Sequence, residues 1–164
     1  MSANKFHRAR AILAGLLLGG LAVGPVSADG DRSRAAGAPL LPLYKQECAA
    51  CHMAYPPQFL QAASWQRLMQ GLPQHFGSDA SLDPATVKAL STWLTANAGT
   101  GKRAAENPPQ DRITRSAWFV RKHDEVSAAS WKLPAVKSAA NCAACHTQAD
   151  SKGNFNEHDV RIPR

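Results

Sequence analysis

Cysteine is scarce in this chain of 164 residues: there are four, and all of them fall in two copies of one pentapeptide, Cys48-Ala49-Ala50-Cys51-His52 and Cys142-Ala143-Ala144-Cys145-His146. Methionine is scarcer still. Apart from the initiator, only Met53 and Met69 occur, and none follows position 69. Lysine and arginine are scattered, with no basic run interleaved with aromatic residues, which excludes an ordinary nucleic-acid surface. No stretch alternates apolar and polar residues with a period of two, so a sheet is not expected. Nor is there a repeat longer than the pentapeptide: Tyr44-Lys45-Gln46-Glu47 precedes the first copy and Ser138-Ala139-Ala140-Asn141 the second.

A long apolar run is also missing. The best candidate, Ala11 to Val23, is shorter than the roughly 17–25 apolar residues that a membrane-spanning helix needs. Lys5, Arg8 and Arg10 precede it and Val26-Ser27-Ala28 follows it as a small-residue cleavage site, so residues 1–28 are expected to be a cleaved signal peptide, with an uncleaved anchor as the alternative. Ala9 separates the two arginines, which leaves the general secretory route rather than a twin-arginine one. The expected location is periplasmic, with no stable membrane insertion after cleavage. Loss of residues 1–28 removes three basic residues and no acidic ones, so the formal charge falls from +7 to +4. A scattered positive surface of that size serves solubility or docking to an acidic partner protein.

The stretch AGTGKRAAENPPQ, from Ala98 to Gln110, has the composition of a linker. It divides the chain into a flexible tail at 29–38, a first domain at 39–100, a linker at 101–107 and a second domain at 108–164, each domain holding one pentapeptide. Domains this small obtain only about 3–5 kcal/mol from an apolar core and usually contain a staple or a metal. The first domain reads as helical. Apolar residues recur at helical spacing around Trp65-Gln66-Arg67-Leu68-Met69, and in SLDPATVKALSTWLTANAG Asp83 can cap, Pro84 suits the first turn, and Val87, Leu90, Trp93 and Leu94 share a face before Gly99. The second domain is less regular, with short helices expected at 115–123 and 135–145 and a polar, loop-like tail. The fold class expected is mainly α.

C-x-x-C-H is the attachment signature of c-type haem. Residues three apart on a helical turn share a face, so Cys48 and Cys51 can reach two neighbouring porphyrin vinyl groups while His52 meets the iron from the same side; Cys142, Cys145 and His146 repeat the arrangement. Three other readings compete. A thioredoxin-like C-x-x-C follows a buried strand, and Leu43 to Glu47 show no strand pattern. Paired zinc C-x2-C motifs usually lie about 15–20 residues apart, far closer than Cys51 and Cys142. Two C-x-x-C disulfides would be strained and leave both histidines unexplained. Two covalently attached haem c groups are therefore expected.

Methionine and histidine are the usual sixth ligands, and methionine raises the potential. Met53 adjoins His52 and cannot reach the opposite face; Met69 lies within a predicted helix and reads more simply as core, with ligation of the first haem in place of His75 as its alternative. Five histidines survive removal of the signal: His52, His75, His123, His146 and His158. Two belong to the pentapeptides. His75, in the loop LPQHFG, is left for the first haem, and His123 or His158 for the second, with the apolar-flanked His123 preferred over His158 in the polar tail. Trp65, Trp93, Trp118 and Trp131 read as packing against porphyrin rather than as electron relays.

These residues carry a family resemblance. Tyr44, the first pentapeptide, Trp65 to Met69, a ligand loop and a terminal helix ending in Leu90-Ser91-Thr92-Trp93-Leu94 resemble a class I cytochrome c domain. From about residue 40 onward, including His75 to Leu82 and Trp118 to His123, the chain resembles the bacterial dihaem cytochrome c family. The resemblance implies two bis-histidine, low-spin haems, with the sixth ligands carried over to His75 and His123. It further implies an N-terminal class I-like domain, a C-terminal domain with little regular structure, a membrane b-type cytochrome as donor and a monohaem c-type cytochrome as acceptor. The expected function is periplasmic electron transfer without catalysis. The alternatives are a subunit through which electrons enter a larger reductase, or a haem enzyme if one iron has an open or labile sixth position.

Overall fold

The computed structural model describes residues 40–163. The expected signal peptide at 1–28 and the tail expected at 29–38 lie outside the described residues. All described residues belong to one compact unit. Among them no strand forms, only an isolated antiparallel bridge between His75 and Ser78, and no helix is long and apolar enough to cross a membrane.

The first half is built on three helices. Helix α1, Pro42–Cys48, starts with a proline in its first turn, where the missing N–H is not needed, and buries Tyr44. Helix α2, Ala62–Gln70, turns Ser64, Trp65 and Met69 inward and stops at Gly71, whose N–H reaches the carbonyls of Arg67 and Leu68. Helix α3, Pro84–Ala96, is the element most completely specified by its own residues. Asp83 accepts hydrogen bonds from the backbone N–H groups of Ala85 and Thr86, Pro84 occupies the first turn, and Leu90 and Leu94 are fully buried one helical turn apart. Helices α2 and α3 pack together, and Tyr44, Ala54, Leu60, Trp65, Met69, Leu72, Leu90 and Leu94 form the core between α1, α2 and α3. Each fully buried leucine contributes about 1.5–3 kcal/mol through removal of apolar surface from water. The buried indole N–H of Trp65 donates to the Pro57 carbonyl at 2.7 Å, so this large side chain leaves no polar atom unpaired.

Residues 101–107, expected to join the halves, are themselves packed. Lys102–Ala104 form a 3-10 turn with Ala104 buried, Gln61 donates to the Ala104 carbonyl, and Ser64 donates to the Asn107 side chain. Gly99 makes this possible. A Cβ there would lie 2.3 Å from the Gln58 carbonyl oxygen and 2.6 Å from the Ala104 Cβ, so only glycine lets the two strands of chain approach.

The second half has short helices: α4, Ala117–Lys122; α5, Ala128–Trp131; and α6, Ala149–Lys152. Serines start the first two, Ser116 accepting from the Phe119 N–H and Ser127 from the Ser130 N–H. The helix expected at 115–123 is trimmed to α4 because Ser116 is extended as its cap, and His123 becomes the residue that closes it. The helix expected at 135–145 does not form. Lys137 takes a left-handed φ of 64°, which no continuous right-handed helix accommodates, and the chain makes tight turns until a 3-10 turn at Cys142–Ala144. Gly153, at φ 62°, ends α6.

The halves meet through side chains. Phe59 packs against the rings of Trp118 and Phe155 at centroid distances of 5.5 and 5.1 Å, Arg67 pairs with Asp111, and Tyr55 reaches Ala140.

Candidate haem attachment sites

The first pentapeptide begins on the last residue of α1 and continues through the turn at 49–51. The second begins in the 3-10 turn Cys142–Ala144, closed by hydrogen bonds from the Cys145 and His146 N–H groups to the Cys142 carbonyl. All four cysteines are unpaired. Burial pushes the thiols of Cys48 and Cys142 up to about 11, helped by Glu47 and Cys145 respectively. That setting is the opposite of the one that activates a redox thiol. Among the described residues, no group of three or more His, Cys, Asp or Glu side chains is arranged to hold a bare metal ion.

The histidines fall into two pairs. His52 and His75 have ring centroids 6.3 Å apart with planes at 29°, and His146 and His123 lie 6.1 Å apart with planes at 78°. A metal bonded at about 2 Å to one nitrogen of each of two imidazoles holds the ring centroids about 6 Å apart. Both pairs therefore have the spacing of two rings on opposite sides of one ion, and each joins a pentapeptide histidine to one from elsewhere in the chain.

Local structure fixes each ring. His52 donates from Nδ1 to the Met53 carbonyl at 2.7 Å and stacks on Tyr55 at 4.6 Å. His123, at the end of α4, donates from Nδ1 to the Phe119 carbonyl one turn back at 2.9 Å and stacks on the Phe119 ring at 4.0 Å. Both bonds occupy Nδ1 and leave Nε2 as the nitrogen available to a metal. His75 follows the 3-10 turn Leu72–Gln74 and is held by its N–H to the Leu72 carbonyl and by the Ser78 N–H to its own carbonyl. The next two residues, Phe76 and Gly77, carry φ values of 51° and 96° that reverse the chain there. The Nδ1 atoms of His75 and His146 are buried without a hydrogen-bond partner. Burial holds both below the usual imidazole value, with His52 and Arg112 adding at His75 and His123 adding at His146. Neutral imidazole is the form that binds a metal. The spacing, the free Nε2 atoms and the thiols beside them all fit iron porphyrin attached through thioethers.

The other candidates sit elsewhere. His158 is exposed on a 3-10 turn and has no ring partner among the described residues, while Met69 is buried in the core of the first half. Trp65 packs in that core with Trp93 at its edge, and Trp131 lies 5.8 Å from His123. Sequence reasoning did not find Tyr55 or the Phe119 carbonyl. The second was accessible, since Phe119 and His123 are four apart on one helix; the first depends on a contact 85 residues away.

A family model described as dihaem cytochrome c matches residues 44–155. The chain belongs to the dihaem cytochrome c family. Solved members are similar along nearly their whole length. The diheme cytochrome type c from Shewanella baltica OS155 is 36% identical with a TM-score of 0.66, the alignment covering 77% of this chain and 95% of that one. The DHC purified from Rhodobacter sphaeroides is 46% identical with a TM-score of 0.61, over 70% and 96%. A second diheme cytochrome c structure from Rhodobacter sphaeroides is 44% identical with a TM-score of 0.63, over 71% and 98%. Comparison with curated proteins returns no match. As a dihaem cytochrome c the protein has two covalently attached haem c groups, and the pairs Cys48 and Cys51, and Cys142 and Cys145, fit their attachment. It is an electron-transfer haem protein of mainly helical fold.

Proposed function

We propose that this dihaem cytochrome c is a periplasmic electron carrier with two bis-histidine, low-spin haems, accepting electrons from a membrane b-type cytochrome and delivering them to a soluble monohaem c-type cytochrome. Haem 1 is held by Cys48 and Cys51, with His52 and His75 on its iron; haem 2 is held by Cys142 and Cys145, with His146 and His123. The observation that carries this reading is the pairing of the histidines at 6.3 and 6.1 Å.

The bound haems supply a reversible one-electron couple at each iron. The chain's own residues determine what else can happen there. With His52 and His75 holding one iron and His123 and His146 the other, no coordination position would be left for a substrate, which favours transfer over catalysis. The Nδ1–H bonds of His52 to Met53 and of His123 to Phe119 raise the basicity of those ligands and fix their rings, one such bond at each iron. Histidine in place of methionine keeps both potentials low, consistent with a carrier placed between a membrane donor and a c-type acceptor.

Visible and EPR spectra of the purified holoprotein test the assignment. Wholly low-spin ferric and ferrous spectra, unaltered by carbon monoxide and without the methionine-to-iron charge-transfer band, are expected. A high-spin fraction that binds carbon monoxide would transfer the reading to a haem enzyme, and a methionine band would return Met69 as ligand. Copurification with a larger reductase would instead support a role as the subunit through which its electrons enter.

A further inference from the structure

We infer that Tyr55 is a positioning residue that couples the two haem sites, orienting the His52 ligand with its ring and tethering the second attachment loop with its hydroxyl. The inference rests on the haem ligation proposed above. Tyr55 lies three residues after His52, and its ring is stacked on that imidazole at 4.6 Å with planes only 15° apart. Its hydroxyl donates to the Ala140 carbonyl at 2.6 Å, two residues before Cys142. One half-buried side chain therefore touches both sites.

The surroundings suit the role. The Tyr44 hydroxyl, from the core of the first half, donates to the Tyr55 carbonyl at 2.9 Å, so the backbone that carries the ring is anchored to α1. A cavity of about 430 Å³ next to this bridge has Cys51, His52 and Met53 on one wall and residues from Lys137 to Ala143 on the other. The two attachment motifs thus face a common space. The Tyr55 hydroxyl makes a hydrogen bond that joins the segment carrying His52 to the loop carrying Cys142. The loop it holds has no α-helix and is shaped by short-range turns, such as the Asn141 N–H to the Ser138 carbonyl and the Asn141 side chain to the Val136 carbonyl, which fold it locally without tying it to the His52 wall. His52 cannot rotate freely either. Its Nδ1 is bonded to Met53 and one ring face is covered by Tyr55, and such outer contacts fix the plane that a ligand presents to its metal.

The two halves of the role separate by substitution in the holoprotein. Tyr55→Phe keeps the stack and removes the tether; Tyr55→Leu removes both. For Tyr55→Phe the low-temperature EPR signal of haem 1 should stay in place, while amide hydrogen exchange across residues 138–143 speeds about fivefold, the change expected for loss of one hydrogen bond of ordinary net strength. For Tyr55→Leu the exchange should be at least as fast and the haem 1 g-values should shift with those of haem 2 unchanged; Tyr55→Trp should restore the haem 1 signal but not the slow exchange. Wild-type exchange in Tyr55→Phe, or an unshifted haem 1 signal in Tyr55→Leu, overturns the inference. Failure of the ligation itself is distinguishable, because the unsubstituted protein would then lack two bis-histidine signals.

Discussion

An imidazole bound to iron carries information in the plane it adopts as well as in its identity. The two ring pairs differ in this respect, crossing at 29° in the first site and 78° in the second. Nearly parallel axial rings split the iron d-orbitals strongly, and crossed rings leave them close in energy. The ferric holoprotein is therefore expected to give two low-spin EPR signals of different type: a rhombic one from haem 1 and a highly anisotropic one with a larger maximal g-value from haem 2. Two superimposed rhombic signals would contradict the geometry. At the same scale, His123→Met should raise the potential of haem 2 and leave haem 1 nearly unchanged, since a thioether favours ferrous iron more than imidazole does. His158→Met, on the exposed 3-10 turn, should move neither potential in a redox titration. The pentapeptides and the candidate partners were legible from residue type alone. The ring planes were not, because they depend on Tyr55, Phe119 and the reversed chain at Phe76 and Gly77.

Among the elements, α3 was readable because every determinant is local: Asp83 caps it, Pro84 begins it, and Leu90 and Leu94 recur at helical spacing. The segment 135–145 was not, because its conformation turns on Lys137, whose left-handed backbone has no sequence signature. Close approach of Gly99 to Gln58 is equally invisible in sequence and gives a direct test. Gly99→Ala must displace a backbone carbonyl, and a loss of about 1–3 kcal/mol is expected from overpacking, measured as a lower denaturant midpoint of the holoprotein. A second test concerns the tie between α2 and the turn Pro109–Asp111. The hydrogen bond from Arg67 holds the Asp111 carboxyl below its usual range, with burial opposing and Ser64 assisting. A carboxyl with a depressed folded value contributes stability above its unfolded value, about 3.9, and that contribution disappears as pH falls through the folded one. Asp111→Asn should therefore lower the melting temperature at neutral pH and converge with the parent at strongly acid pH. The difference should be small, because the Arg67 side chain is 49% exposed and well screened.

Taken as a whole, the molecule buries its own apolar side chains unevenly. Beyond residue 108, only Phe119, Val136 and Ala149 are buried hydrophobics among the described residues, whereas the first half has a continuous core around Leu90 and Leu94. Three buried apolar side chains are few for more than fifty residues even with the contacts to the first half, so the second half is expected to depend on its porphyrin for much of its order. A Cys142→Ser, Cys145→Ser double variant, carrying one haem, is expected to lose amide protection throughout 117–159 while α2 and α3 remain protected; uniform protection in hydrogen exchange would count against this. The need for such a filler was legible in the sequence from domain size. The contact between halves was not, since Tyr55 and Ala140, like Phe59 and Phe155, meet only in the tertiary structure.

The two histidine pairs also run in opposite directions along the chain: His75 comes after its pentapeptide, and His123 comes before its own. A polypeptide threaded across a membrane from its amino end would offer the first porphyrin a docking point before the lid for it had emerged, and would expose the lid for the second before there was anything to cover. Under the export proposed above, the first site would have both of its imidazoles across before the thiols of the second arrive, whereas the second would wait for its thiols with His123 already across.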